Sequence, residues 1–264
     1  MRTAIWPGLS LCLLVVACSH GAANTAGPEA GAAARPPDLS GFWNLDMKVP
    51  RDARLMSQVA PNTAFIDDTG PVELPLGNYG GLKPTPAALE KAKHWDPHEA
   101  LTIENACRAP SIVYALQGPF PIEIFQSNVF IVMKLEYYDL VRIIFLDGRK
   151  PEPDYPHSMT GFSSGHWEGD TLVVDSIGFI PTSYIAPGTN HSEQMRIEER
   201  IRRVSGDTME IRTTIYDPKA LLEPWTVTRS YKRHSDWDIK EYICSQNNRD
   251  SADPKGRADI NLKR

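Results

Sequence analysis

Apolar and polar positions alternate with a period of two along most of the second half of the chain. Met209, Ile211, Thr213 and Ile215 alternate with Glu210, Arg212 and Thr214, and Trp225, Val227, Arg229 and Tyr231 alternate with Thr226, Thr228 and Ser230. Successive side chains of a strand point to opposite faces, so this spacing predicts half-buried strands. Val129-Phe130-Ile131-Val132-Met133 and Val141-Arg142-Ile143-Ile144-Phe145-Leu146 are apolar runs of strand length around Tyr137-Tyr138-Asp139, which predicts a hairpin. A second hairpin is predicted where His166-Trp167 and Thr171 to Ser176 flank Glu168-Gly169-Asp170. Residues 195 to 204 allow two readings. Ile197, Ile201 and Val204 have helical spacing, but the turn Ser205-Gly206-Asp207 leads into a strand that calls for an antiparallel partner, so the segment is read as that strand. Ile239 to Cys244 closes the series as a last strand.

The first half is less regular. Asp38 to Leu45 reads as a short opening strand, and the Pro-, Gly- and Asp-rich residues 46 to 81 as a long loop around the core. Thr85-Pro86 before Ala87-Ala88-Leu89-Glu90-Lys91-Ala92-Lys93 supplies an N-cap, a proline at N1 and good helix formers, predicting one short helix near 86–94. The whole describes an all-β domain, an antiparallel sandwich or barrel, in which sequential hairpins favour an up-and-down meander.

Export is expected from the opening residues. Leu9 to Ala17 is an apolar run behind Met1-Arg2, shorter than the roughly 20 residues a membrane-spanning helix needs, and reads as a signal peptide. Val15-Val16-Ala17-Cys18 is similar to a bacterial lipobox, with Cys18 the cysteine that becomes lipidated. Ser19 after it favours an outer-membrane lipoprotein facing the periplasm. The alternative is cleavage near Gly21-Ala22-Ala23 and a soluble periplasmic or secreted protein. Residues 19–37 lack large apolar side chains and read as a flexible tether, 38–248 as a single β domain, and 249–264 as a polar tail.

A net charge of −5 and the absence of a basic stripe argue against a nucleic-acid partner. Of four cysteines, Cys12 would leave with the signal peptide and Cys18 would be the anchor. Cys107 and Cys244 remain, and in an oxidising compartment their pairing as a structural disulfide is expected.

Several segments together resemble a large family of exported bacterial proteins of unassigned function: Gly165-His166-Trp167-Glu168-Gly169-Asp170-Thr171-Leu172-Val173-Val174-Asp175-Ser176-Ile177-Gly178-Phe179, His191-Ser192-Glu193, Glu199-Arg200-Ile201-Arg202-Arg203, Asp217-Pro218-Lys219-Ala220 and Pro224-Trp225-Thr226-Val227. The similarity covers most of 38–247 and implies export without implying an activity. Gly41-Phe42-Trp43 at the start of the first strand is similar to lipocalin-like barrels and implies a barrel rather than a sandwich.

Strand parity makes one sharp prediction about chemistry. Met195, Ile197 and Ile201 share one face of the 195–204 strand, and Glu199 falls on that apolar face. Extended backwards, the same parity places His191 and Glu193 there too. A carboxylate facing a barrel interior must be paired or hydrogen-bonded. Arg229 is the expected partner for a structural ion pair; otherwise Glu199 is a polar anchor for a ligand, or a general base with His191 as its acid–base partner. His166, Trp167, Trp225, Tyr184, Arg229 and Glu193 are the expected ligand-binding residues, and Tyr137, Tyr138 and Tyr155 would suit a pocket mouth.

His157 and His166 flank a Gly/Ser-rich loop, Thr160 to Gly165, and with His191 they could form a three-histidine metal site with an oxygen ligand from Asp170 or Glu193; none of them is spaced as a ligand pair, and no metal or other cofactor is expected. Ser163-Ser164-Gly165-His166 lacks the strand–turn–helix setting of a nucleophile elbow. Adjacent residues of an extended segment face apart, so His191-Ser192-Glu193 is no triad. The leading expectation is therefore a lipid-anchored barrel that binds a small apolar or amphipathic molecule. The alternatives are a cofactor-independent isomerase, lyase or hydrolase acting through Glu199 or His191, and an interaction protein with a filled core.

Overall fold

The computed structural model describes residues 35–46, 79, 81–95, 107, 109, 111–116, 118, 120–181, 184–186 and 188–244, with only the backbone of Tyr184. The expected signal peptide with Cys18, nearly all of the tether, most of the 46–81 loop and the 249–264 tail lie outside the described residues.

Among the described residues eleven strands form: β1 Gly41–Leu45, β2 Ile122–Gln126, β3 Phe130–Leu135, β4 Val141–Phe145, β5 Phe162–Glu168, β6 Thr171–Ile177, β7 Tyr184–Ala186, β8 Thr189–Asn190, β9 Arg196–Arg203, β10 Thr208–Tyr216 and β11 Trp225–Arg233. Nine of them close into a barrel in the order β1-β11-β10-β9-β6-β5-β4-β3-β2, while β7 and β8 form a small separate ribbon. The barrel replaces the sandwich alternative. Alternation along β9, β10 and β11 arises as the pattern predicts, with Ile197, Glu199 and Ile201 turned inward opposite Ile215, Thr213 and Ile211.

The meander departs from strict antiparallel order at one joint. Neighbours around a closed ring of nine strands cannot all be antiparallel, because an odd number does not alternate back to its start. Here β4 and β5 run parallel, registered at Ile144↔Ser163 and Phe145↔Ser164.

Helix α1 Pro86–Lys93 forms where predicted, and Ala88 N donates to the Thr85 hydroxyl at 3.2 Å. A short second helix, α2 Ile112–Ala115, buries Ile112, Val113 and Ala115. It lies under the barrel wall: the Tyr231 hydroxyl donates to Leu116 O at 3.4 Å, and burial pushes that phenol up to about 12. Among the described residues no helix is long and apolar enough to cross a membrane.

The Gly41-Phe42-Trp43 start has a physical basis. Gly41 has φ +126°, and a Cβ there would meet Arg233 Nε at 2.9 Å. Trp43 is fully buried and donates through Nε1 to Leu39 O at 2.9 Å, flanked by the guanidinium groups of Arg203 and Arg233.

Two sequence expectations need correction. Residues 239–243 form no strand, because β11 already pairs with β1 and completes the ring. The segment instead crosses the β3–β4 turn: Lys240 N donates to Glu136 Oε2 at 2.9 Å and Tyr242 N to Asp139 Oδ2 at 3.2 Å. Tyr242 packs there among Phe120, Tyr137 and Tyr138, so these tyrosines cover a turn rather than rim a pocket. The Gly/Ser-rich residues 160–165, expected as a loop, instead lead into and form the first half of β5, where small side chains give room to a large one from β4. Cys107 and Cys244 are joined by a disulfide that ties this last segment to residues 137 positions earlier.

Candidate functional site

Among the described residues two places have the chemistry of a site, one inside the barrel and one on its outer wall. Inside, Glu199 is buried on β9 as its parity requires. Its ion-pair partner is Arg142 of β4, equally buried, rather than the expected Arg229. Arg142 Nη2 donates to Glu199 Oε2 and, at 2.7 Å, to the Ser176 hydroxyl, while Nε donates to the Ser163 hydroxyl at 2.9 Å. The two serine hydroxyls are 2.8 Å apart. Four strands thus contribute to one buried polar network, which is how an apolar core accommodates a full charge pair. Gly165 makes room beside it, since a Cβ there would come within 3.0 Å of Ile144 and 3.3 Å of Leu172.

Beside the network lies a cavity bounded by Ile112, Val113 and Leu116 at the α2 end and by Glu199, Thr213 and Arg229 on the wall. Its volume is about 10 Å³, enough for about one water molecule. Glu199 Oε1 has no hydrogen-bond partner among the described residues and is fully buried. Trp225 also lines this space.

His191 and Glu193 do not join Glu199. The chain turns at 192–195 instead of running extended, because the Asp217 carboxylate accepts from Ser192 N and, at 2.7 Å, from the Ser192 hydroxyl. Met195 N donates to Ser192 O across the turn. Glu193 is therefore exposed. His191 is buried, with Nδ1 3.1 Å from Ser192 O and its ring edge-on to Phe179. Burial holds the imidazole below its ordinary value, against the pull of the Asp217 charge. Its Nε2 has no hydrogen-bond partner among the described residues.

His166 is exposed on β5 and faces Glu168 at 3.3 Å, away from the interior, while Trp167 is half-buried against the core. The Tyr184 side chain lies outside the described residues. Among the described residues no three metal-ligating side chains converge.

The second place was not anticipated. On the outer face of β9, β10 and β11 a polar groove of about 290 Å³ is lined by Glu198, Arg200, Arg212, Thr214, Tyr216 and Thr226, with Pro224 at its end. Arg200 and Arg212 stand directly opposite each other across the β9–β10 ladder. Arg200 Nη2 donates to Glu168 Oε2 at 2.7 Å, whereas Arg212 has no ion-pair partner among the described residues. Like charges in that position destabilise a sheet unless an anion is shared between them. The Thr214 and Thr226 hydroxyls are 3.0 Å apart along the same groove. Outward polar residues of a strand look like ordinary solvated positions in sequence, so alternation alone could not find it.

No protein-family profile matches the chain, and no curated protein is significantly similar to it. Fold and site define a closed β-barrel with a buried ion pair in its interior and a polar groove, lined by Arg200, Arg212, Glu198 and hydroxyls, on its wall.

Proposed function

We propose that this chain is an envelope lipoprotein, anchored at Cys18, that binds a small polar molecule bearing an anionic group in the groove over β9, β10 and β11. One observation carries the reading: the interior cavity is of water size, while the outer groove is of the size that small ligands occupy. Arg200 and Arg212 supply the charge complement, and Thr214, Thr226 and Tyr216 supply hydroxyls for a polyol or sugar-like body. The lipobox-like Val15-Val16-Ala17-Cys18 supports the envelope location.

The cavity beside Glu199, bounded by α2 and the β9–β11 wall, is too small for an apolar ligand, and Glu199 Oε2 is already taken by Arg142, so the groove is preferred to the interior. The open Oε1 keeps a second reading in play, in which a small hydrogen-bond donor sits beside Glu199 after α2 shifts.

A thermal-shift panel of sugar phosphates, sugar acids, neutral sugars and apolar compounds separates the two. Stabilisation by anionic members, lost in Arg212→Ala and kept in Trp225→Phe, is the expected result. Stabilisation by apolar compounds, or loss in the Trp225 variant alone, would overturn the groove in favour of the interior.

A further inference from the structure

The opposite side of the barrel has an outer surface of contrary character. On β2, β3 and β4 the outward side chains are largely apolar: Phe125, Phe130, Val141 and Ile143 are each 41–52 % exposed, as is Val129 at the β2–β3 turn. Registration makes them one patch, since Phe125 lies opposite Val132, Val132 opposite Ile143, and Phe130 opposite Phe145. Its margin carries charges of both signs. Lys134 stands between Val141 and Glu123, and the Arg149 guanidinium, ion-paired with Asp147, lies 4.3 Å from the centre of the Phe145 ring. Isolated exposed apolar residues need no explanation, but a contiguous patch with a polar margin marks a contact surface.

What covers the patch is indicated by where the chain enters the barrel. Gln126, at the end of β2 and next to Phe125, donates from Nε2 to Pro37 O at 3.0 Å and accepts from Leu39 N at 2.9 Å. Gln126 N donates to the Ser40 hydroxyl at 3.3 Å. The segment leading from the lipobox-like residues thus arrives at the rim beside the patch. Cys18 lies 20 positions before Asp38, and a chain of that length spans at most about 70 Å, which bounds the distance from that rim to whatever Cys18 is attached to.

We infer that the outer face of β2, β3 and β4 lies against the lipid surface to which the tether leads. Large apolar side chains would sit at the level of the acyl boundary, with Lys134 and Arg149 at the headgroups. In the ring of nine, β3 and β10 are as far apart as the closure allows, so the polar groove would face away from the lipid. The inference rests on the Cys18 anchor for its occupant, and the two can be tested apart.

The full chain, isolated from bacterial envelopes, is reconstituted in vesicles of equal parts phosphatidylethanolamine and phosphatidylglycerol containing a lipid with a photoactivatable acyl chain. Mass analysis of the N-terminal peptide reads the anchor, and the cross-linked peptides read the face. Cross-links are expected within 122–147, falling by at least about tenfold in F125S/F130S/I143S. Val129→Asp, at the turn tip, should lower them in the same way if the triple variant fails to fold. Cross-links confined to the N-terminal peptide would overturn the docked face while leaving the anchor intact. Protection of the face in a vesicle-free dimer, seen by sedimentation, would overturn it in favour of a second copy. An unacylated Cys18 with cross-links still in 122–147 would remove the anchor and uphold the face.

Discussion

Arg142 on β4 and Glu199 on β9 meet inside the barrel across two intervening strands, β5 and β6. Neither charge has solvent to fall back on, so each depends on the other. Removing one partner, as Arg142→Met or Glu199→Gln, is expected to cost about 3–5 kcal/mol, read from urea unfolding. Replacing both by apolar residues of similar volume should recover much of that loss. If both single changes are nearly neutral, the network does not stabilise the barrel.

The disulfide makes a separate prediction. Cys107 and Cys244 close a loop of 137 positions, so the bond restricts the unfolded chain strongly. The double change to serine is expected to lower stability by about 2–5 kcal/mol and to leave the barrel strands formed. Amide exchange should rise first at 239–244, which the bond holds across the β3–β4 turn.

His191 gives the protein a pH dependence whose sign follows from burial. The folded imidazole is held below its ordinary 6.5 by burial, opposed by the Ser192 carbonyl and the Asp217 charge. As pH falls through about 6.5, the unfolded chain takes up a proton that the folded chain resists. The unfolded state then binds more protons, so stability declines on acidification in that window. Urea midpoints between about pH 8 and pH 5.5 should fall for the natural chain and flatten for His191→Gln.

Gly165 tests the packing around the network. Its missing side chain admits Ile144, Leu146 and Leu172, all within 3.3 Å of where a Cβ would stand. Gly165→Val should cost about 1–3 kcal/mol through overpacking, measured by thermal unfolding. A neutral result would mean that β4 can move outward freely.

Glu199 was legible in the sequence because β9 has one apolar and one polar face. Its partner was not. Along β4 the outward residues Val141 and Ile143 are apolar and the inward Arg142 is charged, so hydrophobicity points the wrong way. Alternation distinguishes two faces without saying which one is inside. Ser163 was hidden in the same way, within a Gly/Ser-rich stretch whose small side chains are required by the neighbouring guanidinium. His191 and Glu193 were misplaced because parity was carried through a turn that only the Asp217 carboxylate, 25 residues later, enforces. The groove and the apolar patch lie on consecutive strands, β9 to β11 and β2 to β4, but emerge only once the registers between those strands set their outward residues side by side.

An odd number of strands leaves the wall with a weak joint. Only two residue pairs register between β4 and β5, against eight between β9 and β10. Arg142 stands on one lip of that joint and bonds to Ser163 on the other, then reaches past it to Ser176 and Glu199. If the wall parts there, β4 and β5 become open edges with unpaired backbone, and open edges recruit strands from other chains. The buried charges therefore also act as a latch against strand exchange, in a protein whose most apolar outer face adjoins that joint.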